Sequence, residues 1–224
     1  MCIRDSFYPM GGGQAGDAGV LHITSGALAG RELAVADTRK GKDAEGRFTT
    51  DICHVPAATG DDAALLPSVG DTVIARIDWQ RRHRLMRFHS STHLLCHLVP
   101  QLVNGCSITP DYARLDFNMT EPLDKEALTA ALALLVAAGH PVNIGAISDA
   151  ELDANPALVK SMSVLPPRGS GSIRTVRIGH DALIDLQPCS GTHVANTAEI
   201  GAVIVTKIEK KSATTRRVVL GFAA

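Results

Sequence analysis

The sequence predicts an α+β protein in two parts: a β-rich segment over residues 1–80, then an α+β segment over 81–224 with an antiparallel sheet. Three observations carry this. Short apolar runs separated by Gly, Asp and Pro fill the first eighty residues, which is how short strands are punctuated. Two later stretches, 85–99 and 121–139, repeat apolar residues at helical spacing. Helices and strands cluster instead of alternating strictly, which favours α+β over a doubly wound sheet.

The elements follow in order. Phe7-Tyr8-Pro9 leads into a Gly-rich turn, Gly11-Gly12-Gly13-Gln14, followed by Gly16, Asp17 and Gly19. Val20–Ile23, Leu33–Ala36 and Val73–Ile77 read as strands. Residues 37–62 are polar and Gly-rich and read as loops or an excursion from the sheet, and Leu65–Asp71 as a turn. Leu85, Phe88, Leu94, Leu95, Leu98 and Val99 mark a helix stopped by Pro100. The clearest helix is 121–139, with Pro122 near its start, Leu128, Leu132 and Leu135 on one face, and Gly139 as its cap. Val142, Ile144 and Ala146 alternate as a strand, and Ser148 with Glu151 forms a capping box for another helix. Residues 166–171, Pro-Pro-Arg-Gly-Ser-Gly, are a loop. Ile173–Ile178, Ala202–Ile208 and Val218–Phe222 close the chain as strands.

Composition sets the outer limits. The chain has 224 residues and a formal net charge of −1, which excludes a uniformly basic nucleic-acid coat protein but leaves room for a local basic patch. With 45% hydrophobic and only 4% aromatic residues, the core must be built from Ala, Val, Leu and Ile. No apolar run approaches the roughly 18 residues of a membrane span, and Met1–Ser6 offer no signal-peptide core. Five scattered cysteines do not form a disulfide framework, so the thiols read as reduced and the protein as cytosolic.

Two short motifs carry chemistry. His89 and His93 are spaced i, i+4, which puts both imidazoles on one face of a helix within reach of one ion. His97 extends that face, but it and Cys96 read as packing or surface. Cys189-Ser190-Gly191-Thr192-His193 supplies a thiol and an imidazole in a turn-rich setting. Together the pairs give three nitrogens and one sulfur, the donor set of a borderline-soft tetrahedral ion such as zinc. A structural site remains open, although the Cys-x2-Cys knuckles usual there are missing. Ser90 stands where a His-Glu-x-x-His protease carries its general base.

These motifs, in this order, make the sequence resemble the free-standing alanyl-tRNA editing proteins, homologues of the editing domain of alanyl-tRNA synthetase. The resemblance runs through Phe7-Tyr8-Pro9, Gly11–Asp17, Arg84-Leu85-Met86-Arg87, His89–His93, Arg114-Leu115-Asp116-Phe117, Cys189–His193 and Thr197–Gly201. It implies a small N-terminal β-barrel before the editing domain. Such proteins begin some residues earlier, with strands that complete the barrel; Met1–Ser6 do not supply them, so the start reads as truncated or misassembled. It also implies Zn2+ held by His89, His93, Cys189 and His193, and hydrolysis of the ester joining serine or glycine to the tRNA that should carry alanine.

Against that background the remaining residues take candidate roles. Thr92, beside a ligand, is placed to read a serine hydroxyl, or else bonds back to a helix carbonyl. Gly12, Gly13 and Gln14 let the backbone approach the tRNA terminus, or simply make a hairpin turn, and Gln14 is the second catalytic candidate, next after Thr92 to read the serine hydroxyl. Gln187, two residues before a ligand, is a candidate support for the site, and Asp116 a satisfier of buried backbone. Arg81, Arg82, Arg84, Lys210 and Lys211 are candidates for tRNA phosphates. The role of the zinc stays open between polarising the ester, activating water and holding the substrate amino group. A catalytically silent tRNA-binding module with structural zinc is the alternative. No protein partner can be inferred.

Overall fold

The computed structural model describes residues 7–57, 66–166, 168–169 and 171–223. The expectations for Met1–Ser6, residues 58–62, Leu65, Pro167 and Ser170 fall outside these residues. The described chain is mixed α and β, with antiparallel sheets and three α-helices, and it divides into two compact units.

The first unit takes in described residues up to Gly11 and from Ala15 to His83. Its strands are β1 (Gly19–Ile23), β2 (Glu32–Lys42), β3 (Phe48–Pro56) and β4 (Val73–Ile77), paired in the order β3-β2-β1-β4. The order leaves β3 and β4 at the edges, so the described strands form an open sheet and no closed barrel. Residues 37–56, expected as loops or an excursion from the sheet, instead largely belong to it. Thr38 to Lys42 continue β2, and Phe48 to Pro56 pair back onto it with two register shifts. Bulges of this kind break the clean alternation by which a strand is read from sequence. Phe7, Leu21, Leu33 and Val35 form the buried cluster of this unit, with Ala75 and Ile77 against it.

The second unit holds Gly12–Gln14 and Arg84–Ala224. One sheet runs β10-β11-β6-β5 and another β7-β8-β9. In the first, β5 (Val103–Ile108) and β6 (Ala113–Asn118) join the expected C-terminal pair, β10 (Val203–Ser212) and β11 (Thr215–Phe222). Ala113, Leu115 and Phe117 are buried at every second position, the signature of one covered sheet face. In the second, β7 (Val142–Ile147) and β8 (Ile173–Ile178) lead to the short β9 (Asp185–Pro188).

Helix α1 (Trp79–Leu98) begins six residues before the apolar pattern at Leu85. The Asp78 carboxylate accepts the Arg81 N–H at 3.0 Å and starts the helix there. Helix α2 (Lys125–Ala137) starts after Pro122, at the Asp124 cap, whose side chain accepts from the Ala127 N–H. Its buried face is Leu128, Leu132 and Val136, while Leu135 sits half-buried at the margin. Gly139 follows with φ of +65°, the left-handed turn that ends helices. Helix α3 (Asp149–Ala154) carries the full Ser148–Glu151 capping box. Among the described residues no helix is long and apolar enough to cross a membrane.

Candidate metal centre

The middle of α1 is the feature that needs explaining. Leu85, Phe88, Leu94 and Leu95 are buried, as a core helix requires, yet so are His89, Ser90, Ser91, Thr92 and His93 between them. Five consecutive buried polar residues are costly unless each finds a partner. The Ser91 hydroxyl donates to the Arg87 carbonyl at 2.8 Å and the Thr92 hydroxyl to the His89 carbonyl at 2.7 Å. The two histidines face the turn that follows β9.

That turn brings Cys189 and His193 to them. One ligand atom from each of His89, His93, Cys189 and His193 lies within 4.8 Å of all the others. Cys189 Sγ is 3.4 Å from His89 Nε2 and 3.4 Å from His193 Nε2. The ring centroids lie 4.3–5.5 Å apart. Cys189 is tied to β8, its N–H donating to the Arg174 carbonyl and its own carbonyl accepting from Arg174. The Gly191 N–H points at its sulfur, 3.3 Å away.

Each imidazole is held by its other nitrogen. His89 Nδ1 meets Gln14 Oε1 at 2.6 Å, His93 Nδ1 meets Asp185 Oδ2 at 2.7 Å, and His193 Nδ1 meets the Ser90 hydroxyl at 3.1 Å. Anchoring Nδ1 leaves every Nε2 for the centre, which is how metal-binding histidines are oriented. A tetrahedral zinc with bonds of about 2.0–2.3 Å separates its donors by roughly 3.3–3.8 Å, and the two sulfur–nitrogen distances fall in that range. The donor set and these two spacings are compatible with zinc.

Charge separates Cys189 from the other thiols nearby. Burial pushes Cys189 up, but the three surrounding imidazoles hold it well below the usual thiol value. Burial, with the negative charge of Asp185 near Cys96 and of Cys189 and Asp116 near Cys106, drives these two thiols up to about 12, so they stay neutral. Burial with its histidine neighbours takes His193 down to about 3. Burial works against protonated His93, yet the bond to Asp185 raises it to about 9. Asp185 is lowered to about 2 because His93 and Lys160 outweigh its burial.

The cluster opens into a cavity of about 160 Å3. His89, Thr92, His93, Lys160, Arg174 and Gln187 give it polar wall, and Val103, Leu115, Leu165 and Ile173 apolar wall. Gly12 lines it as well. Gly13, with φ of +85°, lies so close to Cys106 that a β-carbon would stand 2.9 Å from the sulfur. Gln14 stands behind His89 instead of facing the cavity. It is fully buried, its Oε1 shared between His89 and the Thr192 N–H and its Nε2 donating to the Thr192 hydroxyl. Gln187 donates to Asp185 at 2.9 Å and reaches His93 Nδ1 at 3.1 Å. Asp116 pairs with Arg114 and Arg217 in place of backbone groups.

The basic candidates divide. In the first unit, Arg81 donates to the Gly16 carbonyl and Arg82 to the buried Asp17 carboxylate. In the second, Arg84 is exposed, with Nε on the Pro110 carbonyl and its guanidinium over Phe222. Lys210 and Lys211 are exposed on β10. Asp185, Lys160, Ser90, Gly191 and Thr192 are site residues that sequence reasoning missed. Asp185 had little signal, because the four-residue β9 is too short to be read as a strand from the sequence. Lys160, from an irregular segment, had none.

Comparison with known proteins places these residues in a family context. A family model described as the threonyl and alanyl tRNA synthetase second additional domain matches residues 173–219, which include Cys189 and His193. An alanyl-tRNA editing protein AlaX-M from Methanosarcina acetivorans is 30% identical over 96% of this chain and 84% of its own length. The protein of the same name from Methanosarcina barkeri is 31% identical, with the same coverage. An alanine–tRNA ligase from Metallosphaera sedula is 32% identical over 92% of this chain but only 22% of the ligase.

Proposed function

The chain belongs to the alanyl-tRNA editing proteins, and from that premise we propose that it is a trans-acting aminoacyl-tRNA hydrolase that removes serine or glycine from alanine-type tRNA. The observation that carries the reading is the convergence of three anchored imidazoles and one thiolate on the wall of a cavity. His89, His93, Cys189 and His193 would hold zinc, which when bound supplies Lewis-acid polarisation beside the ester.

The chain's own residues supply the rest. A synthetic site for alanine cannot strongly exclude serine or glycine, since such small differences are worth only about 1–3 kcal/mol. A separate hydrolytic cavity corrects the error if it can hold the small aminoacyl group and read a hydroxyl. Thr92 lines this cavity and has spent its proton on the His89 carbonyl, so its oxygen can still accept from a serine hydroxyl. The cavity's apolar wall keeps water from crowding the ester. Gly12, without a side chain, adds no bulk to the cavity wall.

Exposed Arg84, Lys210 and Lys211 are the cations suited to tRNA phosphates; Arg81 and Arg82 are occupied by Gly16 and Asp17. Binding should weaken steeply with salt. The deciding experiment incubates zinc-loaded protein with Ser-tRNA, Gly-tRNA and Ala-tRNA of the alanine type. Release of serine or glycine with Ala-tRNA spared supports the proposal. Binding without release would make the chain a tRNA-binding module with a structural metal.

A further inference from the structure

Asp185 is the most buried carboxylate near the centre, and it touches no candidate donor except through His93. Its side chain is fully enclosed. Oδ2 accepts from His93 Nδ1 at 2.7 Å and from Gln187 Nε2 at 2.9 Å, while Oδ1 takes the Lys160 ammonium. Both oxygens are thus engaged, by groups from three parts of the chain: His93 from α1, Lys160 from the segment after the 3-10 turn Pro156–Leu158, and Gln187 from β9. Lys160 is itself fixed. Its carbonyl accepts the Val103 N–H at 2.8 Å, and the Met162 N–H donates to Val103 at 2.9 Å, so the segment is laid along the edge of β5.

The three imidazoles are supported unequally. His89 leans on an amide oxygen, His193 on a hydroxyl, and His93 on a carboxylate. Hydrogen bonds to a charged acceptor are shorter and roughly twice as strong as neutral ones. They also raise the basicity of the opposite ring nitrogen. A buried carboxylate survives only with a counter-charge. Neutral, metal-bound His93 cannot be that charge, whereas the Lys160 ammonium can.

We propose that Asp185, held by Lys160 and Gln187, is the positioning residue that fixes His93 for the metal and makes it the best-anchored histidine of the site. This rests on the zinc reading above, and the test separates the two. Zinc affinity of the full chain is measured by competition with a chromogenic chelator, and cobalt-substituted protein is followed by its visible absorption. Asp185→Asn should weaken zinc binding about 10–100-fold, the usual cost of losing such a partner, and shift the cobalt bands. Ser90→Ala, which removes the weaker support of His193, should cost less.

Asp185→Asn buries an amide and can compromise folding, so Lys160→Met, at a side chain 24% exposed, carries the test independently. It should weaken zinc binding at least several-fold, with Lys160→Arg restoring affinity. A folded Asp185→Asn or Lys160→Met chain that holds zinc within twofold of the wild type, with unchanged cobalt bands, would overturn the proposal. A wild-type chain that takes up no zinc sinks the metal reading and this inference with it.

Discussion

Gly191 stands directly against the imidazole of His89. A β-carbon built on Gly191 would overlap the ring at Cε1 and Nδ1 and lie 3.1 Å from Gln14 Oε1, the atom that holds that ring. The glycine in the Cys-Ser-Gly-Thr-His turn is therefore required by a neighbour and not by a backbone angle. The ring cannot retreat, since His89 is buried and tethered to Gln14.

Gly191→Ala is accordingly expected to displace His89 and strip the centre of one donor. Purified Gly191→Ala should contain well under one zinc per chain, or lose it to a chelator at least 10-fold more readily. Elemental analysis and chelator competition measure both. Retention of zinc at wild-type affinity would show that the turn can move away from the ring.

Metal removal should cost stability, because buried donors that converge on an ion are poorly matched to each other without it. At zinc 100-fold above its dissociation constant the linkage contributes about 2.7 kcal/mol. Wild-type protein should melt several degrees lower after chelation and recover on adding zinc. Cys189→Ala should show little of this response. Equal melting with and without zinc in the wild type contradicts the centre.

Part of this site was legible in the sequence because its donors sit at short fixed spacings. His89 and His93 are one helical turn apart, and Cys189 to His193 form one tight turn, so local geometry nearly determines each half. The partners of the rings were not legible in the same way. Gln14, Asp185 and Ser90 meet the imidazoles across long separations, and only folding reveals which Nδ1 each one takes. The same holds for the sheets. The apolar residues of β7 and β8 let both be read as strands, whereas β2 and β3 are interrupted by register shifts and carry polar residues. The short β9 offers four residues, too few for a pattern.

Acid should weaken the C-terminal sheet through Asp116. Burial raises its pKa, but the hydrogen bonds and charge of Arg217, with Arg114, bring it below the usual carboxylate value. A carboxyl lowered in the folded state contributes stability that is complete above its unfolded pKa of about 3.9 and is lost as pH falls through the folded value. Asp116→Asn should thus cost on the order of 1 kcal/mol at pH 7. Urea unfolding at pH 7 and again near pH 2 should show that difference shrinking toward zero. A cost that is the same at both pH values would mean that packing, not charge, accounts for it.

Serine discrimination turns on Thr92. Its hydroxyl proton goes to the His89 carbonyl at 2.7 Å, and the residue lines the cavity together with candidate ligands His89, His93 and Cys189. The oxygen can accept a hydrogen bond from a seryl group, and an alanyl group leaves it without one. Such a bond is worth about 1–3 kcal/mol when the partner would otherwise be buried unpaired. Valine keeps the branched shape and removes the acceptor. The His89 carbonyl still receives the helical N–H four residues on, as an α-helix provides. Thr92→Val should therefore leave zinc content unchanged and narrow the ratio of Ser-tRNA to Ala-tRNA hydrolysis by about 10-fold, within that energy range. Parallel single-turnover deacylation of the two tRNAs measures it. If the ratio keeps its wild-type value while rate and zinc are intact, another group reads the hydroxyl, and Lys160 and Gln187 on the same cavity wall are the side chains to replace next.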